Sequence, residues 1–382
     1  MIILEKPFTS NELARYLESS QIPVLDNAAA RKANARNAFN LTPEDEFARR
    51  VNNGERLYTT SENALEWVAS HIDRPELLRA VESMKDKGKL RQALAPLYPD
   101  YFFRVAGADE LPGIAPDSLP LPVVLKPVVG FFSVGVYVIE TAAAWRSALA
   151  DIAAKSAQWR RDYPDSVVGG GRFIIEQYAT GDEYAVDAYY DADGQPVVVD
   201  ILKHDFSSGT DVSDRLYYTS PEIIRDKLDA FTDYLRRVGA ILDIRDFPLH
   251  LEVRVGPAGI VPIEFNPLRF AGWCCTDISL FAYGFQTYDY YLRNARPDWD
   301  ALLAGKENAT YSMTILDRTP KLADVKKLDL EKVAAQYTKV LHMRPVECAD
   351  SPVFAFVFAR TPSGDTRELE SIVASDLTEF IA

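Results

Sequence analysis

The chain has 382 residues, 42 of them Lys or Arg and 56 Asp or Glu, for a net charge of −14. That length admits two or three domains with a large core, and the acidic balance argues against nucleic acid or an anionic membrane surface as a partner. Three cysteines are too few and too odd in number for a disulfide framework, and with no zinc-like Cys/His spacing a reducing, cytoplasmic setting is expected.

The opening residues, Met1 to Leu4, read as a short apolar strand followed quickly by charge, not as a signal peptide. No apolar run reaches membrane-spanning length. An amphipathic helix is predicted over 10–20, with Leu13, Tyr16 and Leu17 on one face. Strands are predicted at 23–25 and 56–58, and Ser61 caps a helix carrying Leu65, Val68 and Ile72. Such alternation suggests a small parallel sheet. No GxGxxG follows the first strand, so a dinucleotide fingerprint is absent.

A Pro- and Gly-rich stretch at 111–122 marks a boundary. Beyond it, 123–130 and 131–139 read as two strands around a glycine-bounded loop. A helix follows with Trp145, Leu149, Ile152, Ser156 and Trp159 in register. The run Gly169-Gly170-Gly171 leads into a strand rather than a helix, so it reads as a connector. A strand at 172–178 completes a small α+β unit. Next come a hairpin over 184–202 turned by Asp191-Ala192-Asp193-Gly194 and a polar stretch at 205–219. The following helix is punctuated by Ser220, Pro221 and Gly239. The tail carries helical signal at 328–340, an apolar strand at 353–358 and a last helix over 366–380.

The richest segment lies between the 220s helix and the tail. Residues 249–255 and 260–269 alternate with period two around Gly256-Pro257-Ala258-Gly259, so they read as paired strands. His250, Glu252 and Arg254 share a face of the first arm; Glu264 and Asn266 share a face of the second. Two carboxylates and an amide oxygen are hard ligands suited to Mg²⁺. Without a cation, Glu252 and Glu264 side by side are expected to repel, raising the pKa of one. If Val255 simply paired with Ile260, Glu252 would oppose Ile263 and the carboxylates would face opposite ways. A shared metal therefore demands an odd loop or a bulge, with Arg254 opposite Pro262 and Glu252 opposite Glu264.

Over residues 80–300 this order of parts resembles the ATP-grasp superfamily, in its carboxylate–amine ligase branch. The resemblance implies an ATP-grasp fold of α+β / α/β class. It would comprise a small N-terminal parallel-sheet domain (1–112), an α+β lid (113–178), a C-terminal mixed-sheet domain with the metal site (179–307) and an extension (308–382). It implies ATP with Mg²⁺ or Mn²⁺, and small-molecule carboxylate and amine substrates, amino acids among them. No nucleic acid or membrane is implied, and a homodimer is compatible with it.

Residue by residue, Lys126 matches the lid lysine. Lys87 of Asp86-Lys87 matches the second phosphate-binding lysine, with Lys89 and Arg91 near enough to substitute. Residues 129–135, including Ser133, match the phosphate-covering loop, although Phe131 and Phe132 stand where the family has glycine and serine. Glu176, Gln177 and Tyr178 match the adenine segment, where a strand edge would supply backbone donor and acceptor. Glu183 matches the ribose acid, and Glu252, Glu264 and Asn266 the metal set. Arg269 matches the arginine that stabilises the acyl phosphate or oxyanion, though it stands one residue farther along than is common. Arg254 is its rival, or else a salt bridge to Glu252. Residues 205–219 lie where the family keeps a mobile substrate loop, and Lys203 and Arg215 could reach the γ-phosphate or a substrate carboxylate. Cys274 and Cys275 are read as buried small residues. The reaction implied is ATP-dependent activation of a carboxylate for attack by an amine, yielding an amide, ADP and phosphate. A small-molecule kinase and a non-catalytic nucleotide-binding or regulatory protein are the alternatives.

Overall fold

The computed structural model describes residues 1–130, 135–162, 171–206, 214–346 and 351–382, with main chain alone at 36 and 156–162. Phe131, Phe132, Ser133, Gly169, Gly170 and Cys348 lie outside the described residues, as do the side chains of Ser156 and Trp159.

The first sheet is parallel, ordered β3-β2-β1-β4, from β1 (Ile2–Ile3), β2 (Val24–Leu25), β3 (Leu41–Thr42) and β4 (Tyr58–Thr59). Ser10 caps the helix Asn11–Ser20 by accepting from the Leu13 amide, and Leu13 and Leu17 bury against Ile2, Leu4 and Val24. No period marks β3 in the sequence, because it is two residues long.

The second sheet is antiparallel, ordered β5-β8-β6-β7: β5 (Phe103–Gly107), β6 (Val123–Pro127), β7 (Tyr137–Ile139) and β8 (Arg172–Gln177). Trp145 of the helix Ala142–Asp162 fills its core beside Ile139, Ile152 and Phe173. Because β5 precedes residue 113, this sheet takes a strand from the stretch assigned by sequence to the N-terminal unit.

The third sheet has eight strands, ordered β13-β12-β9-β10-β11-β14-β16-β15. They are β9 (Asp182–Tyr190), β10 (Pro196–His204), β11 (Leu216–Thr219), β12 (Phe247–Gly256), β13 (Gly259–Pro267), β14 (Ala309–Asp317), β15 (Val340–Pro345) and β16 (Val353–Pro362). Every pairing is antiparallel, so the expected mixed sheet is corrected. The tail is not a separate layer: β14, β15 and β16 continue this sheet. The last helix ends earlier than expected, at Ala374, and a short 3₁₀ turn covers Thr378–Phe380.

Strand alternation sorts β12 into two faces. Phe247, Leu249, Leu251 and Val253 bury against Ile224, Phe231, Leu235 and Val238 of the helix Pro221–Leu242. His250, Glu252 and Arg254 are left on the opposite face. Gly239 does not stop that helix, which runs on to a left-handed Asp243. A Cβ at Gly239 would stand 2.4 Å from the Tyr190 ring, so close packing explains the glycine.

Candidate active site

The hairpin of β12 and β13 solves its register with a bulge. Gly256 pairs with Gly259 and Val255 with Ile260, the even arrangement that by itself would separate the two glutamates. The register then shifts between Glu252 and Val253, leaving Ile263 as the extra residue and setting Glu252 opposite Glu264. Arg254 faces Val261 rather than Pro262, because the correction comes after Pro262 and not in the loop. Directly opposed residues have Cβ atoms about 4.5–5.5 Å apart, close enough to share one cation. Asn266 stands two residues on, opposite His250, and is 3 % exposed.

The expected repulsion between the two acids is relieved by cations. Lys87 Nζ meets Glu264 Oε1 at 2.5 Å, and His250 Nε2 lies 3.5 Å from Glu252 Oε1. Burial pushes Glu252 up, yet the His250 hydrogen bond and charge outweigh it, and the carboxyl sits below its ordinary value. Burial likewise disfavours charged Lys87, but Glu264 outweighs it and the pKa rises. His250 is pushed up to about 9: burial opposes its charge, and Asp187 and Glu252 win. The expectation that one carboxyl of the pair would be raised is thus corrected at Glu252.

Lys87 reaches this place because Asp86 caps the helix Lys87–Leu94, accepting from the Gly88 and Lys89 amides. The first helical residue is thereby aimed across at β13, and its own amide donates to Val128 O at 2.8 Å. Lys89 instead pairs with exposed Glu82 on the surface. Arg91 turns inward to Glu176, with Nε and Nη2 at 2.9 and 2.6 Å from Oε2. Lys126, 6 % exposed, completes the cluster at 2.8 Å from Glu176 Oε1. Burial raises the Glu176 carboxyl, but Lys126 and Arg91 outweigh it and hold it low. Lys126 also donates to Ile263 O at 3.2 Å, and Arg91 to Pro262 O at 2.8 Å. The second sheet and the bulge of the β12–β13 hairpin therefore meet through these two cations.

The adenine segment differs from expectation. β8 is an inner strand, flanked by β5 and β6, so it offers no open edge. The Gln177 and Tyr178 amides donate to Phe102 O and Pro122 O, and Gln177 O accepts from the Tyr101 hydroxyl. The Glu176 side chain is taken up by the ion cluster. Arg254 spans the segment beyond the strand: Nε meets Glu183 Oε2 at 3.1 Å, and Nη1 donates to the Tyr178 hydroxyl at 2.5 Å and to Ala179 O at 3.2 Å. Glu183 also takes His204 Nδ1 at 3.2 Å. Arg254 is therefore tied to Glu183, not to Glu252. Arg269 holds Glu62 at 3.2 Å and the Phe270 carbonyl at 2.9 Å. Glu62, drawn also to Lys85, is held down to about 2: burial raises it, and Lys85 and Arg269 prevail.

Lys203 pairs with Asp182 and Asp205. Arg215 points away from this face, to Asp317 Oδ1 at 2.8 Å and to carbonyls at Val373 and Ser375, so it braces the tail. Cys274 and Cys275 are buried, and burial pushes the Cys274 thiol up to about 12. Sequence reading missed Glu62, Asp187 and His204. Asp187 left a trace as a lone carboxylate between Val186 and Ala188 inside an apolar strand; Glu62 left none.

Among the described residues no three His, Cys, Asp or Glu side chains form a metal-holding group. The set fitted to a hard cation is two carboxylates plus an amide, Glu252, Glu264 and Asn266, gathered on one face by the bulge. The Asn266 side chain, 3 % exposed, carries the amide oxygen of that set. Among the described residues no helix is long and apolar enough to cross a membrane.

Residues 119–277 match the family model of an ATP-grasp domain. Among solved structures, the chain resembles an L-amino acid ligase from Bacillus licheniformis at a TM-score of 0.66 and 17 % identity, covering 96 % of this chain and 94 % of that one. It resembles N5-carboxyaminoimidazole ribonucleotide synthetase from Thermus thermophilus at 0.61 and 17 %, covering 100 % and 99 %. An Aspergillus clavatus N5-carboxyaminoimidazole synthase, in complex with ADP and 5-aminoimidazole ribonucleotide, matches at 0.63 and 14 %, covering 97 % of each. No curated protein matches the sequence.

Proposed function

From the premise that this chain is an ATP-grasp protein, we propose that it is an ADP-forming carboxylate–amine ligase. A substrate carboxylate oxygen attacks the γ-phosphorus of ATP and ADP leaves. An amine then attacks the acyl carbon of the acyl phosphate, phosphate leaves, and the amine proton passes to phosphate or water. The observation that carries this reading is the bulge: it places Glu252, Glu264 and Asn266 on one face, within reach of Lys87 and beside the Lys126–Glu176–Arg91 cluster. Those three residues would hold Mg²⁺, which neutralises phosphate charge when bound. Lys87 and Lys126 are the phosphate-binding cations, and both would exchange a carboxylate partner for phosphate oxygen. Arg269, next to the metal set in the chain and facing Glu62, is the better oxyanion candidate. Arg254 is held at Glu183, on the side assigned to the ribose. The similar structures, an amino acid ligase and ribonucleotide synthetases, support small-molecule ligation.

The test is ADP and phosphate release in the presence of Mg·ATP and paired amino acids. Phosphate release that requires both a carboxylate and an amine supports the ligase. ADP formed without free phosphate points to a kinase, and nucleotide binding without turnover to a regulatory protein.

A further inference from the structure

Behind the side chains of the proposed metal set stands Asp187 on β9, 2 % exposed and without a role in the proposed reaction. Its Oδ1 accepts from His250 Nδ1 at 2.7 Å and from the Ala271 amide at 2.9 Å, and its Oδ2 accepts from the Thr276 hydroxyl at 2.6 Å. His250 in turn faces Glu252. One carboxylate thus holds the histidine that backs a metal carboxylate and grips, at two points, the segment that follows Arg269. That segment needs holding. Trp273 and Cys274 have φ of 55° and 56°, the left-handed region that non-glycine residues adopt at a cost. Trp273 and Cys274 lie between the two gripped points, Ala271 and Thr276.

We propose that Asp187 is a positioning residue that sets Glu252 and Arg269 in one frame, through His250 on one side and through Ala271 and Thr276 on the other. The proposal rests on the reading of Glu252, Glu264 and Asn266 as the metal set. A carboxylate is needed because all three partners are donors. Asparagine keeps the size but loses the charge that faces His250, and its amide nitrogen would reverse the Thr276 contact, making the hydroxyl an acceptor. Partners of this kind, which orient a metal ligand without touching the metal, are worth about 10–100-fold in metal affinity or activity.

The experiment measures Mn²⁺ binding in the presence of ADP, by loss of the free-ion electron paramagnetic resonance signal, alongside steady-state kinetics. It compares the wild type with Asp187→Asn, Thr276→Val, Thr276→Ser and Glu264→Gln. Mn²⁺ binding is expected to be lost in Glu264→Gln and weakened about 10-fold in Asp187→Asn and Thr276→Val. In those two, kcat should fall while KM for ATP stays within about threefold. Thr276 touches Asp187 and Thr287, so a metal defect there is transmitted through Asp187, and Thr276→Ser, which restores the hydroxyl, should rescue it. Normal Mn²⁺ affinity in both Asp187→Asn and Thr276→Val, with Glu264→Gln defective, overturns the proposal and leaves the metal reading standing. Unchanged affinity in all variants overturns the metal reading itself. If Asp187→Asn does not fold, Thr276→Val and its serine rescue decide the matter alone.

Discussion

Glu252 and Glu264 each have a cationic neighbour of their own, His250 and Lys87, so neither needs the other's neutralisation to fold. Glu252→Gln and Glu264→Gln each leave a buried cation short of a partner, so both should lower the thermal midpoint, Glu264→Gln the more because it strands Lys87. Turnover should fall roughly 100-fold or more, since a few kcal/mol of transition-state charge stabilisation corresponds to that factor. Full activity in either variant would remove that residue from the metal set. A second expectation concerns a buried acid on β10. Asp200, fully buried beneath Ser279, is pushed up to about 8, first by burial and then by the charge of Asp187. Its folded pKa lies above the unfolded value, so between about pH 4 and 8 the native state holds a proton that the unfolded chain has lost. Stability should fall as pH rises through that window and level off above it. In Asp200→Asn that component should vanish, read as a flatter dependence of the urea midpoint on pH. A slope identical to wild type would show that Asp200 is ionised in the fold.

At the scale of elements, the decisive objects are the bulge and the short link between the lid sheet and β9. Gly181 has φ of 122°, and a Cβ there would lie 2.2 Å from Val255 O, while one at Gly256 would lie 2.2 Å from Thr180 O. The link and the hairpin turn thus pass backbone to backbone. Gly181→Ala should destabilise by roughly 1–3 kcal/mol, the usual cost of forcing a side chain into such a conformation. It should also weaken nucleotide binding, because Arg254 reaches Tyr178 and Ala179 across the same gap. Urea denaturation and the Mg·ATP-induced shift in melting temperature measure the two effects; neither changing would mean the link relaxes freely. This contact could not be read from the chain. What could be read was period: the alternation that put Glu252, Glu264 and Asn266 on shared faces, and the 3.6-residue repeat of the 220s helix. The need for a bulge followed from counting residues, but its place after Pro262, where Arg91 and Lys126 meet the Pro262 and Ile263 carbonyls, left no local mark. The inner position of β8 was hidden because β5 lies far earlier in sequence, with a whole strand pair and helix between them, and pairing at such distance leaves no local mark. Glu62 was hidden for the same reason, meeting Arg269 across the fold.

For the whole molecule, the Lys126–Glu176–Arg91 cluster joins three parts that a moving lid would separate: β6 and β8 of the lid sheet, the helix Lys87–Leu94, and the bulged strand β13. Lys126 is satisfied by Glu176 and by Ile263 O. Phosphate oxygens compete for the same ammonium, and a lysine that turns toward them gives up the carbonyl that ties the lid to β13. Nucleotide should therefore re-seat the lid as a unit, with the sheet β5-β8-β6-β7 unchanged inside and the strain taken up at its ends. Hydrogen exchange with and without a non-hydrolysable ATP analogue and Mg²⁺ separates these regions. Amides at 128–130 and 178–181 should change their protection, whereas those paired within β6 and β8 should not, because their ladder bonds stay intact. Lys126→Ala should abolish most of the change at 128–130 and blunt the rise in melting temperature, since a ligand that binds only the folded state stabilises it in proportion to its affinity. Equal exchange at 128–130 and 178–181 in both states would mean that the lid is already in its final place and that Lys126 is a structural ion pair.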